Sequence, residues 1–326
     1  MGEIRIGAVV FGVLLLAGCA SEPLTSAHPD VLPSPTMDVP NASAVDRPLY
    51  GGDCQSLLSD ASVSKAFGRS EQVNSQSMDP YGWVVNAHGG LICQWGATSE
   101  TTDVIIVAVP TDGLADDIRS TPPTKRNCAS DADTSTCFSL TVGSVWLSGV
   151  AYGDGAADAS SSLTAELAKT APVDFSWTVP SGAWPTVMDC GRLGPAIDTA
   201  ALLGGPRLDA MNFQSSNDMP AAGFQALLHK PGHSFCYWAE PDAQAGSLGT
   251  YAVAGAGAAV VSRASDPAAH PVTVAGATVA YIIANPQARL YATDGANAIA
   301  IQGAGIELPS NAPAVAAALL TAIGAR

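Results

Sequence analysis

The chain has few basic residues for its size. It contains 14 Lys and Arg residues against 29 Asp and Glu residues, which gives a net charge of −15 at pH 7. The basic residues form no cluster along the chain. Proteins that bind nucleic acid neutralise the phosphate backbone with grouped Lys and Arg side chains. We therefore expect no nucleic-acid partner.

Sequence patterns for metals and cofactors are missing as well. The acidic residues never follow the Asp-x-Asp-x-Asp-Gly spacing of a calcium loop. His229 and His233 are four residues apart, but Pro231 breaks the helix that would aim both side chains at one metal ion. Gly255-Ala256-Gly257 lies in an apolar run that predicts a strand with no helix after it, which favours a bulge or a close backbone approach over a dinucleotide site. We expect neither a metal nor a cofactor.

No stretch of the chain completes a catalytic motif. Gly232-His233-Ser234-Phe235-Cys236 approaches the Gly-x-Ser-x-Gly pattern of a nucleophile elbow, but Cys236 stands at its last position. Ser234 also comes early in a predicted strand, whereas an elbow nucleophile lies on a turn from strand to helix. We predict that the protein is not an enzyme and has no catalytic residues. A hydrolase is the least favoured alternative.

Residues 1–18 have the features of a secretory signal peptide. Arg5 gives a weakly positive start, and the apolar run from Ile6 to Leu16 is shorter than the roughly 20 residues that span a bilayer. The run ends in Leu16-Ala17-Gly18-Cys19, which resembles a bacterial lipobox. That resemblance implies cleavage before Cys19 and lipidation of Cys19, which would anchor the protein at the outer face of the cytoplasmic membrane. An uncleaved anchor and an ordinary signal peptide are the alternatives.

Residues 19–48 predict an extended linker. Six prolines alternate there with Ser, Thr and acidic residues, and the stretch contains almost no apolar side chains to bury. Such a composition keeps a chain extended, with a reach of at most ~90 Å at ~3.1 Å per residue. We expect this linker to hold the folded part of the protein away from the lipid surface.

One pattern occurs twice in the remainder of the chain. In the first copy Cys54 is followed fourteen residues later by Gly68, and the unit closes on Cys93-Gln94-Trp95. In the second copy the same spacing joins Cys190 to Gly204, and the unit closes on Cys236-Tyr237-Trp238. The repetition predicts a tandem duplication of one small domain. We place the first domain at residues 49–172, an inter-domain linker at 173–188 and the second domain at 189–326.

The duplication also predicts how six of the seven cysteines pair. Equivalent bonds in the two copies would join Cys54 to Cys93 and Cys190 to Cys236, which leaves a short loop closed by Cys128 and Cys137. Three structural disulfides in one chain are typical of an exported protein. For the short loop, a structural bond is favoured over a redox switch.

The apolar patterns of both copies predict an α+β fold. A helix is expected from Ser59 as N-cap to Gly68 as its C-terminal stop, and another from Ile197 to Leu203. Strands are expected at Gly90–Trp95, Val104–Val109, Cys137–Tyr152 as a hairpin, Ser234–Trp238, Thr250–Val261, Val272–Ile283 and Leu290–Ile301, with a turn at Asp294-Gly295, and closing helices at 160–171 and 314–323. Each domain would be a mostly antiparallel sheet with helices packed on one face.

Aromatic residues are the candidates for a ligand site. Trp95 and Trp238 stand two residues after a bridged cysteine, which favours packing in the core over stacking on a ligand. Trp83, Trp177 and Trp184 lie in Gly- and Pro-rich connecting stretches, where a large ring is harder to explain as core. Trp177 and Trp184 would either join the two domains or line a groove between them, and all three are our predicted ligand-binding residues.

The two copies resemble the cysteine-paired lipoprotein domains of unknown function from actinobacteria. Their pattern is Cys-x-x-Leu-Leu, a short helix ending in Leu-Gly, and then Cys-x-Trp. The matching residues are Cys54, Leu57, Leu58, Gly68, Cys93 and Trp95 in the first copy and Cys190, Leu193, Leu203, Gly204, Cys236 and Trp238 in the second. Phe67 and Gly194 replace a Leu of the pattern. The resemblance implies an extracytoplasmic α+β domain without known catalytic residues.

We therefore expect a membrane-anchored lipoprotein that acts as a non-enzymatic binding or sensing module at the cell envelope. Its partners would be the cell membrane, through the lipid anchor, and a small envelope ligand or an envelope protein. The alternative is a structural or assembly partner of an envelope protein complex.

Overall fold

The structure, a computed structural model, describes residues 49–74, 80–98, 101–112, 114, 135–170, 175–176, 178–212, 232–241, 248–284, 287–303 and 308–324. The predicted signal peptide, Cys19, the linker up to residue 48, Cys128, Trp177 and His229 lie outside these ranges. The described residues belong to one compact unit.

The first half of the chain, residues 49–172, forms a five-stranded sheet in which every pair of neighbouring strands is antiparallel. Its elements are α1 (Cys54–Leu57), α2 (Asp60–Phe67), β1 (Gln72–Val73), α3 (Tyr81–Ala87), β2 (Leu91–Gly96), β3 (Val104–Pro110), β4 (Ser135–Val142), β5 (Val145–Tyr152) and α4 (Ala156–Leu167). The strand order is β1-β2-β3-β5-β4.

The second half, residues 189–326, forms a seven-stranded antiparallel sheet. Its elements are α5 (Cys190–Ala196), α6 (Thr199–Leu203), β6 (Asp209–Asn212), β7 (His233–Ala239), β8 (Leu248–Val253), α7 (Gly257–Arg263), β9 (Ala269–Pro271), β10 (Val279–Ile283), β11 (Arg289–Thr293), β12 (Ala298–Gly303) and α8 (Ala312–Gly324). The strand order is β6-β7-β8-β12-β11-β10-β9. The fold is therefore α+β.

Short polar side chains begin the helices of both halves. An N-cap side chain accepts a hydrogen bond from a backbone N–H of the first turn, which would otherwise lack a partner. Asp53, Ser59, Asp189 and Asp198 do this for α1, α2, α5 and α6. α2 and α6 each end at a left-handed glycine, Gly68 and Gly204, both with φ of 67°. The predicted N-cap and stop of α2 are both present.

Each sheet buries one face under helices. Side chains alternate between the two faces of a strand, so Cys93 and Trp95 of β2 point to the same face. They join α2 and α4 in one core, where Trp95 is fully buried. Trp238 of β7 occupies the matching core under α5 and α8 and is also fully buried. Both tryptophans therefore pack in the core.

The other faces of the two sheets meet in a shared core. Val107 and Trp146 from the first sheet pack there with Phe235, Tyr251 and Tyr291 from the second. Two helices also contribute to this layer, since buried residues of α3 and α7 belong to the same cluster. Helices thus lie on both faces of the sheets, and not on one face only as expected. Because the halves share this core, we expect their stabilities to be coupled.

One predicted strand is wrong in its second part. The run Thr250–Val261 was expected to be continuous, but β8 ends at Val253 and α7 begins at Gly257. Gly255 turns the chain with φ of 77°, and the side chain of Asn297 accepts a hydrogen bond from its N–H at 3.2 Å. The Gly255-Ala256-Gly257 segment is therefore a turn into a helix, and not a bulge within a strand.

Several further elements differ from the expectation, and the helix expected from Ile197 begins only at Thr199. The predicted strand Val272–Ile283 is shorter, because β10 covers only Val279–Ile283 and the small strand β9 precedes it. Helix α3 was not predicted at all. None of the helices in the described ranges is long and apolar enough to cross a membrane.

Candidate ligand-binding groove

A half-open groove of about 410 Å³ lies beside the disulfide of the first half. Its described lining comes from the turn before α1, the start of α1, the turn from α3 to β2, and the first residues of β2. The lining residues are Gly52, Cys54, Asn86, Gly89, Gly90, Leu91 and Ile92. The volume is within the range of small-molecule sites in proteins.

The turn before α1 is held in an uncommon backbone conformation. Tyr50 has φ of 53° and is the only non-glycine residue with positive φ among the described residues. Gly51 and Gly52 continue the turn with φ of 67° and 72°. Such a conformation costs of order 1–3 kcal/mol for a residue with a side chain, and it occurs often at ligand sites.

Burial of the Tyr50 side chain keeps this turn in place. Tyr50 is 2% exposed, and its hydroxyl has no hydrogen-bond partner among the described residues. Burial raises the pKa of Tyr50 because the ionised form would lose its water. The hydroxyl therefore stays neutral, and the ring anchors the wall of the groove to the core.

A disulfide joins this wall to the sheet. Cys54, the first residue of α1, is bonded to Cys93 of β2, with the two Cα atoms 5.6 Å apart. Cys93 is 1% exposed, whereas Cys54 is only partly buried and lines the groove. The second predicted long-loop disulfide, between Cys190 and Cys236, is also present. Cys137 is disulfide-bonded too, and its predicted partner, Cys128, lies outside the described residues.

The opposite wall is the turn that follows α3. The N–H of Gly90 donates to the carbonyl of Val85 at 2.9 Å, which closes the end of the helix. A Cβ atom at Gly90 would lie 2.6 Å from the carbonyl oxygen of Ala108 on β3. Only glycine fits there, because any side chain would push the turn away from the sheet.

The groove lining also includes Leu91 and Ile92 of β2, a strand that the described part of β1 pairs only near its C-terminal end. Neighbouring residues of a strand direct their backbone N–H and C=O groups to opposite edges. The carbonyl of Trp95 accepts from Asp103 N on the β3 side at 2.8 Å, and the carbonyl of Gln94 accepts from Asn74 N on the β1 side at 2.8 Å. Ile92, two residues before Gln94, therefore directs its backbone groups to the β1 side.

Strand β1 does not reach Ile92. It ends at Val73, which is opposite Trp95, so no described residue pairs with Ile92 on that edge. The sulfur of Cys54 lies 3.7 Å from the carbonyl oxygen of Ile92. This contact is not a hydrogen bond from a thiol, because the sulfur of a disulfide carries no hydrogen. Among the described residues, the N–H of Ile92 has no partner on this edge, and its C=O has only the contact with the Cys54 sulfur.

The predicted ligand-binding tryptophans lie elsewhere. Trp83 of α3 is 1% exposed and packs against Tyr291 in the shared core, with ring centroids 5.6 Å apart. Its Nε1 has no hydrogen-bond partner among the described residues. Trp184 is 8% exposed and packs in the core of the second half. Neither ring lines the groove, and Trp177 lies outside the described residues. A ligand role for the three tryptophans stays a prediction.

The shared core contains a small network of polar groups. The hydroxyls of Tyr81 and Tyr251 are 3.4 Å apart, and Gln302 Nε2 donates to Tyr251 Oη at 2.7 Å. Burial, more than the neighbouring Tyr81, raises the pKa of Tyr251 well above its ordinary value. Tyr251 therefore remains neutral and contacts the first half through the Tyr81 hydroxyl, not through a charge.

A charged cluster lies near the start of β1. The Nε of Arg69 donates to Glu71 Oε1 at 2.8 Å, and an Nη of Arg69 contacts Asp103 Oδ1. The Glu71 side chain has no exposed surface. Burial raises the pKa of Glu71, the charge of Asp103 raises it further, and the bond from Arg69 opposes both. The charges of Arg69, Glu71 and Asp103 are paired with one another within the fold. None of these residues lines the groove.

The residues considered for catalysis or metal binding are placed as follows. Ser234 lies in β7, is 6% exposed, and its hydroxyl is 3.1 Å from the disulfide sulfur of Cys236. His233 begins the same strand and packs against the ring of Phe235. Among the described residues, no three His, Cys, Asp or Glu side chains are grouped so that they could hold a metal ion.

The groove itself was not predicted from the sequence. The backbone groups of Ile92 are part of its lining. The sequence of a strand does not indicate whether a neighbouring strand covers its edge. Gly89-Gly90 after the apolar run Trp83-Val84-Val85 is the one usable signal, because it marks the end of a helix and a close turn. Comparison with protein-family models, with curated proteins and with solved structures finds no match to this chain.

Proposed function

We propose that this protein is a lipid-anchored, extracytoplasmic binding module that is not an enzyme and that holds a small neutral ligand in the groove beside Cys54–Cys93. The observation that carries the proposal is the groove of about 410 Å³, whose α1 wall is bonded to the sheet by a disulfide and whose lining includes Ile92, a residue with no strand partner on the β1 side among the described residues. Rigid, concave sites with a few polar groups are typical of ligand binding.

Residues 1–48 support the proposed anchor and location. The short apolar run ending in Leu16-Ala17-Gly18-Cys19 supports lipidation of Cys19, and the proline-rich linker to residue 48 would carry the folded part beyond the lipid surface. The two disulfides are compatible with an oxidising compartment outside the cytoplasm. The predicted partners are the membrane and a ligand of the cell envelope.

The proposal includes a duplicated domain of the cysteine-paired lipoprotein type. Strand order supports it, because β1-β2-β3-β5-β4 has its counterpart in β6-β7-β8-β12-β11, with β10 and β9 added at one edge. In each half a disulfide joins the first residue of the first helix to the second strand of the sheet.

A second detail of the hydrogen bonding supports the same conclusion. Ser64 Oγ donates to the carbonyl of Glu71 and accepts from its N–H, which joins α2 to the residue before β1. Thr199 Oγ1 forms the same two bonds with Leu208, which joins α6 to the residue before β6. A reciprocal pair at matching places in both halves is not required by either sheet, so it favours a common origin.

The experiment is a ligand screen by thermal unfolding of the full chain in detergent, with envelope metabolites and cell-wall fragments as probes. A ligand at about a hundred times its dissociation constant adds ~2.7 kcal/mol to the free energy of unfolding. For a protein of this size we expect the unfolding temperature to rise by about 5 °C. Tryptophan fluorescence provides the readout.

Two variants locate the bound ligand. Asn86 is exposed at the rim of the groove, so Asn86→Trp fills the opening and should abolish the shift. Ala165→Trp, at an exposed position on α4, adds the same ring away from the groove and should leave the shift intact. The proposal fails if no probe shifts the unfolding temperature, or if the shift persists in Asn86→Trp. Capture of one envelope protein without any ligand shift would favour the assembly-partner alternative.

A further inference from the structure

We propose that the ligand of this groove is an extended peptide segment, which adds to the edge of the first sheet by pairing with the backbone of Ile92. This inference rests on the proposed binding function and narrows it to one class of ligand. A peptide unit offers a donor and an acceptor in the spacing that a strand edge requires, and strand addition is a common mode of peptide recognition.

The direction of the backbone groups supports this pairing. The Ile92 N–H and C=O point to the edge that faces the groove, because Gln94, two residues later, already bonds Asn74 across that edge. On the other side of Ile92, the N–H of Gly90 bonds the carbonyl of Val85. Among the described residues, Ile92 is therefore the one unpaired position on this edge between Gly90 and Gln94, both of which are bonded.

The distance between the bonded positions at Gly90 and Gln94 limits the size of the ligand. From Gly90 to Gln94 the strand covers about 13 Å at ~3.3 Å per residue, which accommodates a peptide of three to four residues. A groove of about 410 Å³ holds a segment of that length only in an extended form with small side chains. Gly52 and Gly89 line the space where the peptide backbone would pass, and glycine permits such close approach.

The described lining of the groove is neutral. Asn86 contributes an amide, and the remaining lining residues are glycines, one disulfide cysteine, Leu91 and Ile92. A neutral surface with backbone donors and acceptors suits an uncharged amide chain better than a phosphate or a metal ion, which need compensating charge.

The first experiment measures amide hydrogen exchange in the free protein, full chain, with single-residue resolution. The amide of Cys93 points to β3 and should be protected, whereas that of Ile92 should exchange on the order of 100-fold faster. Equal protection of Ile92 and Cys93 would show that the edge is already paired, and it would overturn the proposal. This readout is independent of any ligand.

The second experiment adds acetyl-tetra-alanine-amide as the probe. At about ten times its dissociation constant the peptide should slow exchange at Ile92 roughly tenfold. The same peptide with every backbone nitrogen methylated should have no effect, because it lacks the donors. The proposal is overturned if tetra-alanine up to about 10 mM, a weak-binding range, leaves Ile92 unchanged, or if both peptides protect it equally.

The groove variants separate this inference from the general proposal. Asn86→Trp should lose the peptide-dependent protection of Ile92, while Ala165→Trp should retain it. If a non-peptide probe binds in a manner that Asn86→Trp abolishes and tetra-alanine does not bind, the binding function stands and the peptide inference fails. If the peptide protects Ile92 equally in Asn86→Trp, the groove is not its site and the inference fails.

Discussion

The two halves of the molecule use the same covalent bond in different surroundings. Cys190 and Cys236 are 1% and 2% exposed, whereas Cys54 of the first half is partly exposed and lines the groove. The neighbouring edge strands differ too, since β6 runs to Asn212 opposite Cys236 while β1 stops at Val73 opposite Trp95. The comparison shows that an equivalent disulfide is enclosed in one half and lines a groove in the other.

A second contrast concerns the residue just before the edge strand. Leu208 of the second half is 3% exposed and packs in the apolar core. Glu71 of the first half, held by the equivalent helix hydroxyl, is equally buried but carries a carboxyl paired with Arg69. The first half thus has an ionisable group where the second half has an aliphatic one, and we expect the stability of the first half to depend on pH through this group.

The largest expected effect comes from removing either disulfide by double substitution to alanine. Loop entropy assigns about 4 kcal/mol of unfolding free energy to each bond, for sequence separations of 39 and 46 residues. We expect Cys190→Ala with Cys236→Ala to cost about 1 kcal/mol more than Cys54→Ala with Cys93→Ala, because it leaves a cavity between two buried positions. Denaturant unfolding followed by tryptophan fluorescence measures both.

Graded reduction of the wild-type chain gives the matching control. A thiol reductant should reach Cys54 through the groove and open that bond first, as read by alkylation of the released cysteines. Earlier opening of Cys190–Cys236, or a larger stability loss from the first pair of substitutions, would contradict the contrast between an accessible and a buried disulfide.

A smaller effect is expected from Glu71→Gln as a function of pH. Burial raises the pKa of Glu71 above its value in the unfolded chain, so the folded state binds this proton more tightly. The resulting stabilisation is complete below the unfolded pKa and is lost as the pH rises through the folded pKa. Glu71→Gln removes that loss, so its stability relative to wild type should increase from pH 4 to pH 7 in urea titrations.

Glu166→Gln is the control for this substitution. The exposed Glu166 accepts a hydrogen bond from Lys169, which lowers the pKa of Glu166. Its stabilising effect is present above the unfolded pKa and is lost as the pH falls. The relative stability of Glu166→Gln should therefore decrease slightly from pH 4 to pH 7. A decrease for Glu71→Gln as well would mean that Arg69 outweighs burial.

Local signals in the sequence were sufficient for much of the framework. Equal spacing from Cys54 to Gly68 and from Cys190 to Gly204 led to the two disulfides, and Ser59 and Gly68 marked the ends of α2. The helix ends depend on neighbouring residues and the cysteine pairing was indicated by a repeated spacing, so both could be predicted from the sequence.

Features that depend on distant residues were not predicted. The turn into α7 requires Asn297, which lies 42 residues after Gly255, and the apolar run Thr250–Val261 reads as a strand without it. Trp83 was predicted to lie in a connecting loop as a ligand-binding residue. It packs instead against Tyr291 of the other half, a contact that the local sequence does not indicate. The groove depends on where β1 ends relative to Ile92. The local sequence of β2 does not predict the register in which β1 pairs with it.

Peptide mapping of the unreduced full chain is the most direct test of the central claim, that each half is closed by its own disulfide around the same framework. Digestion without reductant should yield one peptide pair joined through Cys54 and Cys93 and another joined through Cys190 and Cys236. Bonds between cysteines of different halves, or free thiols at these four positions, would contradict the account.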